Sequence, residues 1–323
     1  MNKKLLSIIL LSYYSEDKIN DVYYQVKALF EKEEINFEFI VIDDASQDRS
    51  FEVAKSLEQK EGNVCAYQLS RNFTSYYSIF AGLSVCNGTC AVAIPDDGQL
   101  PYETIVKMYR QWESGHKIII PHRVSREDSF LNKMFSNLFY KIMDSLSDVA
   151  YPPGGADLFL IDREVIDIVN ARIHPINTAI VPELLRLGFN PYFLPYQRPK
   201  GDNKKSRWRF TQKIKLAKDM FISSSSFPIK LISLTGVFFS LSAFILISFY
   251  TYIKLFGNQL FWGYLIPGWT SIIIFISFFS GLILLALGVI AEYIWHIYEE
   301  VKNRPGYLIK QNDEINLKKK YTV

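Results

Sequence analysis

Five short apolar runs alternate with four longer amphipathic segments over the first 120 residues, and this alternation limits the fold more than any other feature. The runs are Leu5–Leu11, Phe37–Ile42, Val64–Leu69, Ala91–Ile94 and Ile118–Ile120. Between them lie Ile19–Lys32, Ser50–Gln59, Tyr76–Cys86 and Tyr102–Ser114, each of helical length. In the first of these, Val26, Leu29 and Phe30 fall on one helical face. Strand–helix alternation of this kind implies a parallel sheet covered on both faces. In such α/β sheets ligands bind at the carboxyl ends of the strands. Here those ends carry the stretches SYYSED, DDASQD, SRNF and PDDGQ, so acids, amides and an arginine converge on one rim.

The stretch Ala93-Ile-Pro-Asp-Asp-Gly-Gln-Leu-Pro-Tyr-Glu103 follows the fourth run directly. Two adjacent carboxylates, Asp96 and Asp97, must there be solvated or hold something positive. A structural reading is an acidic turn leading into the helix near Tyr102, with Pro101 beside its start and Glu103 in its first turn. The convergence of four polar strand ends favours a ligand-binding reading instead.

Composition excludes some classes. A formal charge of +3 over 323 residues, with no basic stripe in the first 200, argues against nucleic acid as a partner. The three cysteines, Cys65, Cys86 and Cys90, form no disulfide framework and have no zinc-type companions, which fits a reducing compartment. The opening MNKKLLSIILLSYY has a short apolar core followed by Ser, Glu and Asp, and reads as a first buried strand rather than a cleavable signal.

Composition changes after about residue 220. Leu231–Ile253 contains no charged residue, and a second uncharged span runs over 266–291. Both are long enough to cross a bilayer. Lys213, Lys215, Lys218 and Lys230 precede them, and Lys302, Arg304, Lys310 and Lys318–Lys320 follow; the connecting loop has only Lys254. The positive-inside bias then places both termini in the cytoplasm. The expected order is a globular domain over 1–210, an amphipathic juxtamembrane segment over 211–228, two transmembrane helices within 229–294, and a basic tail over 295–323. The whole reads as an integral protein of the cytoplasmic membrane with its globular domain on the cytoplasmic side.

Five motifs occur in a fixed order: VIDDASQD (41–48), LSRNFTSYYSIFAGL (69–83), DGQLPYE (97–103), GGADLFLIDREV (154–165) and SRWRFTQKIKLAKD (206–219). Together with the two spans they resemble the family-2 glycosyltransferases of the GT-A fold. More narrowly, they resemble polyprenyl-phosphate glycosyltransferases, the group that includes dolichol-phosphate mannose synthase and bacterial enzymes acting on undecaprenyl phosphate. The resemblance covers residues 5–300. It departs at Pro95, where the first acid of the D-x-D motif normally stands, at Thr74 and Ser75, where Gly and Lys or Gln are usual, and at Leu11 and Tyr14.

The resemblance implies an α/β GT-A domain with a mostly parallel, Rossmann-like sheet, followed by a transmembrane hairpin. It implies transfer of one sugar, with inversion, from a nucleotide-diphosphate sugar to polyprenyl phosphate, for cell-envelope glycan synthesis or modification. Asp97 is the expected ligand of Mg²⁺ or Mn²⁺, with Gln99 as an amide-oxygen ligand. Tyr13, Asp43, Asp44, Arg71 and Asp96 are expected at the nucleotide-sugar, with one of the Asp43–Asp44 pair partly structural, shaping the turn with Ser46 or Asp48. Arg123, Lys133, Ser136 and Arg207 are assigned to the acceptor phosphate, and Asp157 to catalysis beside the sugar. Asp162 is read as structural, paired with Arg163. A lipid bilayer is the third partner, and homo-oligomerisation stays open.

Two other readings remain at this point. A processive polysaccharide synthase shares the Arg207-Trp208 pair, but Lys204 stands where its glutamine belongs. A catalytically lapsed, membrane-tethered nucleotide-binding subunit draws its support from Pro95.

Overall fold

The computed structural model describes residues 4–98, 100–123, 158–176, 178–196, single positions and short stretches within 232–248, 268–302 and 304–310. They fall into two compact units, one holding the N-terminal residues and 304–310, the other holding 268–302.

In the first unit the alternation expected from the sequence is present. β1 (Leu6–Ser12), α1 (Ile19–Lys32), β2 (Phe37–Asp43), α2 (Ser50–Lys60), β3 (Val64–Gln68), α3 (Ser75–Val85), β4 (Cys90–Pro95), α4 (Tyr102–Glu113) and β5 (Ile118–Arg123) follow in order. After the undescribed stretch come β6 (Leu160–Asp162), α5 (Arg163–Arg172), α6 (Ile180–Arg186) and β7 (Tyr192–Tyr196). One sheet contains all seven strands, in the order β3-β2-β1-β4-β6-β5-β7. Four of the six pairings are parallel. β6 is the exception: it runs antiparallel to both β4 and β5, which makes the sheet mixed.

Alternation along β1 shows how the sheet is covered. Leu6, Ile8 and Leu10 join one apolar cluster with Phe30 of α1, Leu57 of α2 and Met108 of α4. Ile9 points the other way, into a cluster with Phe80 of α3, Val165 of α5 and Leu184 of α6. Successive strand residues face opposite sides, so a mainly apolar run suits a doubly covered strand, with Ser7 satisfied by donating to Glu38.

Asp162 does not pair with Arg163 as expected. It caps α5 by accepting from Glu164 N (3.0 Å) and also accepts from Trp112 Nε1 (2.7 Å). Arg163 instead donates from Nε to Gly88 O (2.8 Å) and from a terminal nitrogen to Cys86 O (3.1 Å). It closes the turn before β4 by satisfying carbonyls that no strand reaches.

In the second unit α7 (Gly268–Val301) is 34 residues long. Within Phe278–Val301 an 18-residue window reaches a mean hydropathy of 1.9, and among the described residues this is the one helix long and apolar enough to cross a membrane. α7 overlaps the expected span over 268–291. The other expected span falls mostly outside the described residues. Helical positions occur there over 234–239, and the ring of Phe239 lies 5.7 Å from that of Phe278 and 5.4 Å from that of Phe279.

Residues 304–310, placed in the expected basic tail, belong to the first unit and run beside β3. Leu69 and Ile309 form an antiparallel bridge. Ser70 N donates to Leu308 O (2.8 Å) and Lys310 N to Gln68 O (2.7 Å). A Cβ on Gly306 would stand 2.6 Å from Pro175 Cγ, so the close approach of this segment requires glycine.

Candidate active site

The strand registers align the rim. Ser12 pairs with Asp43, Asp43 with Gln68, and Leu11 with Pro95. The last residues of β1, β2, β3 and β4 thus form one row at the carboxyl edge, where an α/β sheet presents its ligand site. Pro95 fits there because β6 pairs with β4 only over Cys90–Val92, leaving no ladder partner on that side for a residue without an N–H.

The two acids at the end of β2 are both buried: Asp43, its last residue, is fully enclosed and Asp44 is 4% exposed. Asp43 folds its own turn, accepting from Ser46 Oγ (2.5 Å) and Ser46 N (3.1 Å), and also accepts from Gln68 Nε2 (2.9 Å). Ser46 Oγ in turn accepts from Tyr14 N (3.0 Å), tying the β1 loop to the β2 loop.

Asp44 reaches across to the loop after β3, accepting from Phe73 N (2.7 Å) and Thr74 N (2.8 Å). Burial raises its carboxyl to about 6, outweighing those two N–H donors. Thr74 has φ +82°, a backbone region that a β-branched residue enters only under strain. The glycine usual at this position in the resembling family would sit there without strain. Tyr14 (φ +52°) and Ala45 (φ +56°) are also left-handed, so three loops of the rim hold strained non-glycine residues.

After β4, Asp96 is 8% exposed and accepts from the Ser15 hydroxyl. Ser15 also accepts from Tyr13 N (3.2 Å) and donates its own N–H to Ser50 Oγ (2.7 Å). Asp97 is exposed in the following turn, next to Gly98 with φ +66°. Its charge adds to burial in keeping the half-buried Tyr102 hydroxyl protonated. Ser12 Oγ is buried at the rim with no hydrogen-bond partner among the described residues.

Of the expected donor-site residues, Tyr13, Asp43, Asp44, Asp96 and Asp97 therefore share one rim. Tyr13 and Tyr14 stand at its mouth, 36% and 44% exposed, with rings packed edge to face at 4.6 Å. Arg71 is exposed and lies over the ring of Phe73 at 4.1 Å, on the loop that Asp44 braces. Arg123 ends β5. Gln99, Lys133, Ser136, Asp157 and Arg207 lie outside the described residues.

Sequence reasoning missed Ser15 and Gln68, whose hydroxyl and amide acquire meaning only once the fold sets them against the acids. Ser46 fills, for Asp43, the turn-shaping role that the sequence offers it.

Among the described residues no three His, Cys, Asp or Glu side chains converge to enclose a metal. An exposed Asp97 with at most one neighbouring acid suits a hard cation that takes much of its oxygen shell from a diphosphate.

Residues 7–168 match the family model described as glycosyl transferase family 2. An uncharacterized glycosyltransferase of Bacillus subtilis, YkcC, is 30% identical over 316 residues, covering 98% of this chain and 96% of its own. The SfII prophage-derived bactoprenol glucosyl transferase of Shigella flexneri is 27% identical over 317 residues, covering 96% and 99%. A solved glucosyl-3-phosphoglycerate synthase of Mycobacterium tuberculosis superposes with a TM-score of 0.47 at 12% identity, over 67% of this chain and 76% of that one.

Proposed function

Because this chain belongs to glycosyl transferase family 2 and is a glycosyltransferase, we propose that it moves a single sugar from a nucleotide-diphosphate donor to polyprenyl phosphate. The observation that carries this reading is the row of Asp43, Asp44, Asp96 and Asp97 on one rim of a sheet whose chain also holds a membrane-length apolar helix. The bactoprenol glucosyl transferases of similar length support the lipid acceptor.

In this reading the nucleoside occupies the mouth formed by Tyr13 and the β2 loop. Asp43 and Asp44 shape that pocket. Arg71 meets the diphosphate. Asp97, with Gln99, holds Mg²⁺ or Mn²⁺, and Asp96 supports the same corner. A bound cation of this kind neutralises the charge that builds on the departing nucleoside diphosphate.

The acceptor chemistry follows from its charge. An alcohol must lose a proton as it attacks, so it needs a positioned base. A phosphate monoester has a second pKa of about 6 and is largely dianionic at neutral pH. Its oxygen attacks the anomeric carbon directly, the bond from that carbon to the diphosphate breaks, and the configuration inverts. The demand on the protein is to hold two anions side by side. Arg123, Lys133, Ser136 and Arg207 meet it on the acceptor side, and Asp157 positions the sugar. The catalytic unit and both termini are cytoplasmic, with a two-helix hairpin in the membrane.

The test is a screen of nucleotide sugars against undecaprenyl phosphate with mass detection of the lipid. One added sugar per lipid is expected. Sugar found on prenyl alcohol, protein or a growing glycan, with none on polyprenyl phosphate, would overturn the reading.

A further inference from the structure

Lys310, in the segment 304–310, lies two hydrogen bonds from the acid row. Lys310 Nζ donates to Gln68 Oε1 (2.9 Å), and Gln68 Nε2 donates to Asp43 Oδ2 (2.9 Å). From Asp43 the path continues through Ser46 to Tyr14 N in the loop at the mouth of the site.

The direction of this relay is fixed by chemistry. A carboxamide has one accepting and one donating end, and either can be turned toward a neighbour. An ammonium only donates, so Lys310 claims the oxygen and turns the NH₂ group toward Asp43. Asp43, which only accepts, asks for the same orientation, so the two charges hold the amide from both ends, and without Lys310 it is held from one end only. The segment is also well anchored. Its backbone bonds to Gln68 and Ser70 flank Leu69, Tyr307 OH donates to Phe80 O (3.3 Å), and Gly306 packs on Pro175.

We propose that the segment following the long apolar helix forms part of the donor pocket's scaffold, with Gln68 and Lys310 as positioning residues that orient Asp43 and the Tyr13–Tyr14 loop for the nucleotide. This rests on the donor reading of the rim given above. It gives β3, an edge strand, a functional reason to be covered by residues 308–310. Such an edge is otherwise protected by charge or by a loop of no further consequence.

The test uses the full chain in detergent, titrated with UDP, GDP and dTDP by calorimetry, followed with whichever binds tightest. Lys310→Met and Gln68→Leu should each weaken binding about three- to fivefold, the equivalent of one net hydrogen bond. Lys310→Arg should restore it, since arginine also only donates. In turnover the loss should appear in the donor KM and not in kcat. Gln68→Glu should be the weakest binder near neutral pH, because it sets a second carboxylate against Asp43. Asp43→Ala separates the two ideas. If it weakens binding while Lys310→Met and Gln68→Leu bind like the parent, the scaffold inference alone is overturned. If no nucleotide binds the parent, or Asp43→Ala binds unchanged, the donor reading fails and takes this inference with it.

Discussion

Ser15 donates its side-chain hydroxyl to Oδ2 of Asp96, joining the loop after β1 to the end of β4. Both residues are nearly enclosed, at 1% and 8% exposure. The bond fixes the buried member of the acid pair and leaves its neighbour, Asp97, facing solvent. Ser15→Ala removes that donor from a buried carboxylate, a loss of about 1–3 kcal/mol. The expected outcome is a lower melting temperature together with a raised donor KM. Melting and KM both at parental values would remove Ser15 from the site.

Asp97→Ala and Asp97→Asn should abolish the benefit of Mg²⁺ or Mn²⁺ to turnover. Charge neutralisation by a cation is worth on the order of several kcal/mol, or roughly a hundredfold or more in rate. Melting should hardly change, because Asp97 is exposed. Pro95→Asp, which restores the usual first acid, should be tolerated without being needed. The measurement is turnover against metal concentration, with chelator as control, and near-normal activity in both Asp97 variants would contradict the assignment.

The carboxyl of Asp44 lies at about 6 when folded, against 3.8 for the free side chain. The folded state therefore holds its proton more tightly. The resulting stabilisation is complete below about pH 4 and is lost as pH rises through 6. A shift of roughly two units corresponds to about 3 kcal/mol. The melting temperature of the parent minus that of Asp44→Asn should fall between pH 4 and 6.5 and level off above. A flat difference across that window would show that Asp44 does not titrate there.

Thr74 has φ +82° and its N–H is held by Asp44. Thr74→Gly removes the strain of a β-branched residue in that region, of order 1–3 kcal/mol, less the added freedom of the unfolded chain. A higher melting temperature is expected by thermal denaturation. A lower one would mean that the Thr74 side chain contributes more than its backbone costs.

The proposed topology puts the Lys254 loop outside and the tail inside. A cysteine at Asn258 should react with an impermeant thiol reagent in intact cells, and one at Val323 only after lysis. Labelling of the tail from outside would invert the arrangement.

The strands β1 to β4 were legible because each is a mainly apolar run bounded by polar loops, as a doubly covered strand tends to be. β6 was not, because three residues, Leu160–Asp162, carry no period and sit inside a motif read for its acids. The rim acids were legible as a set, since every one follows a strand. Which protein groups satisfy them was not. Ser15 and Gln68 are ordinary polar residues until the fold places them opposite Asp96 and Asp43. Lys310 lies 242 residues from its partner and looked like one more charge of a basic tail.

β6 also dictates an order of assembly. It is a three-residue strand wedged between β4 and β5, and it pairs with both. In a chain emerging from its amino terminus, β1 to β4 can zip together through neighbouring crossovers as each helix is made. The outer edge of β4 then stays open until Leu160 arrives, and β5 has no ladder to join before that. An open apolar edge is a template for strand exchange with other chains, and pairing across a long excursion is slow because the loop must close before any contact repays it. The first four strands should thus mature as an early kinetic unit, with capture of β6 as the late event that converts two half-sheets into one.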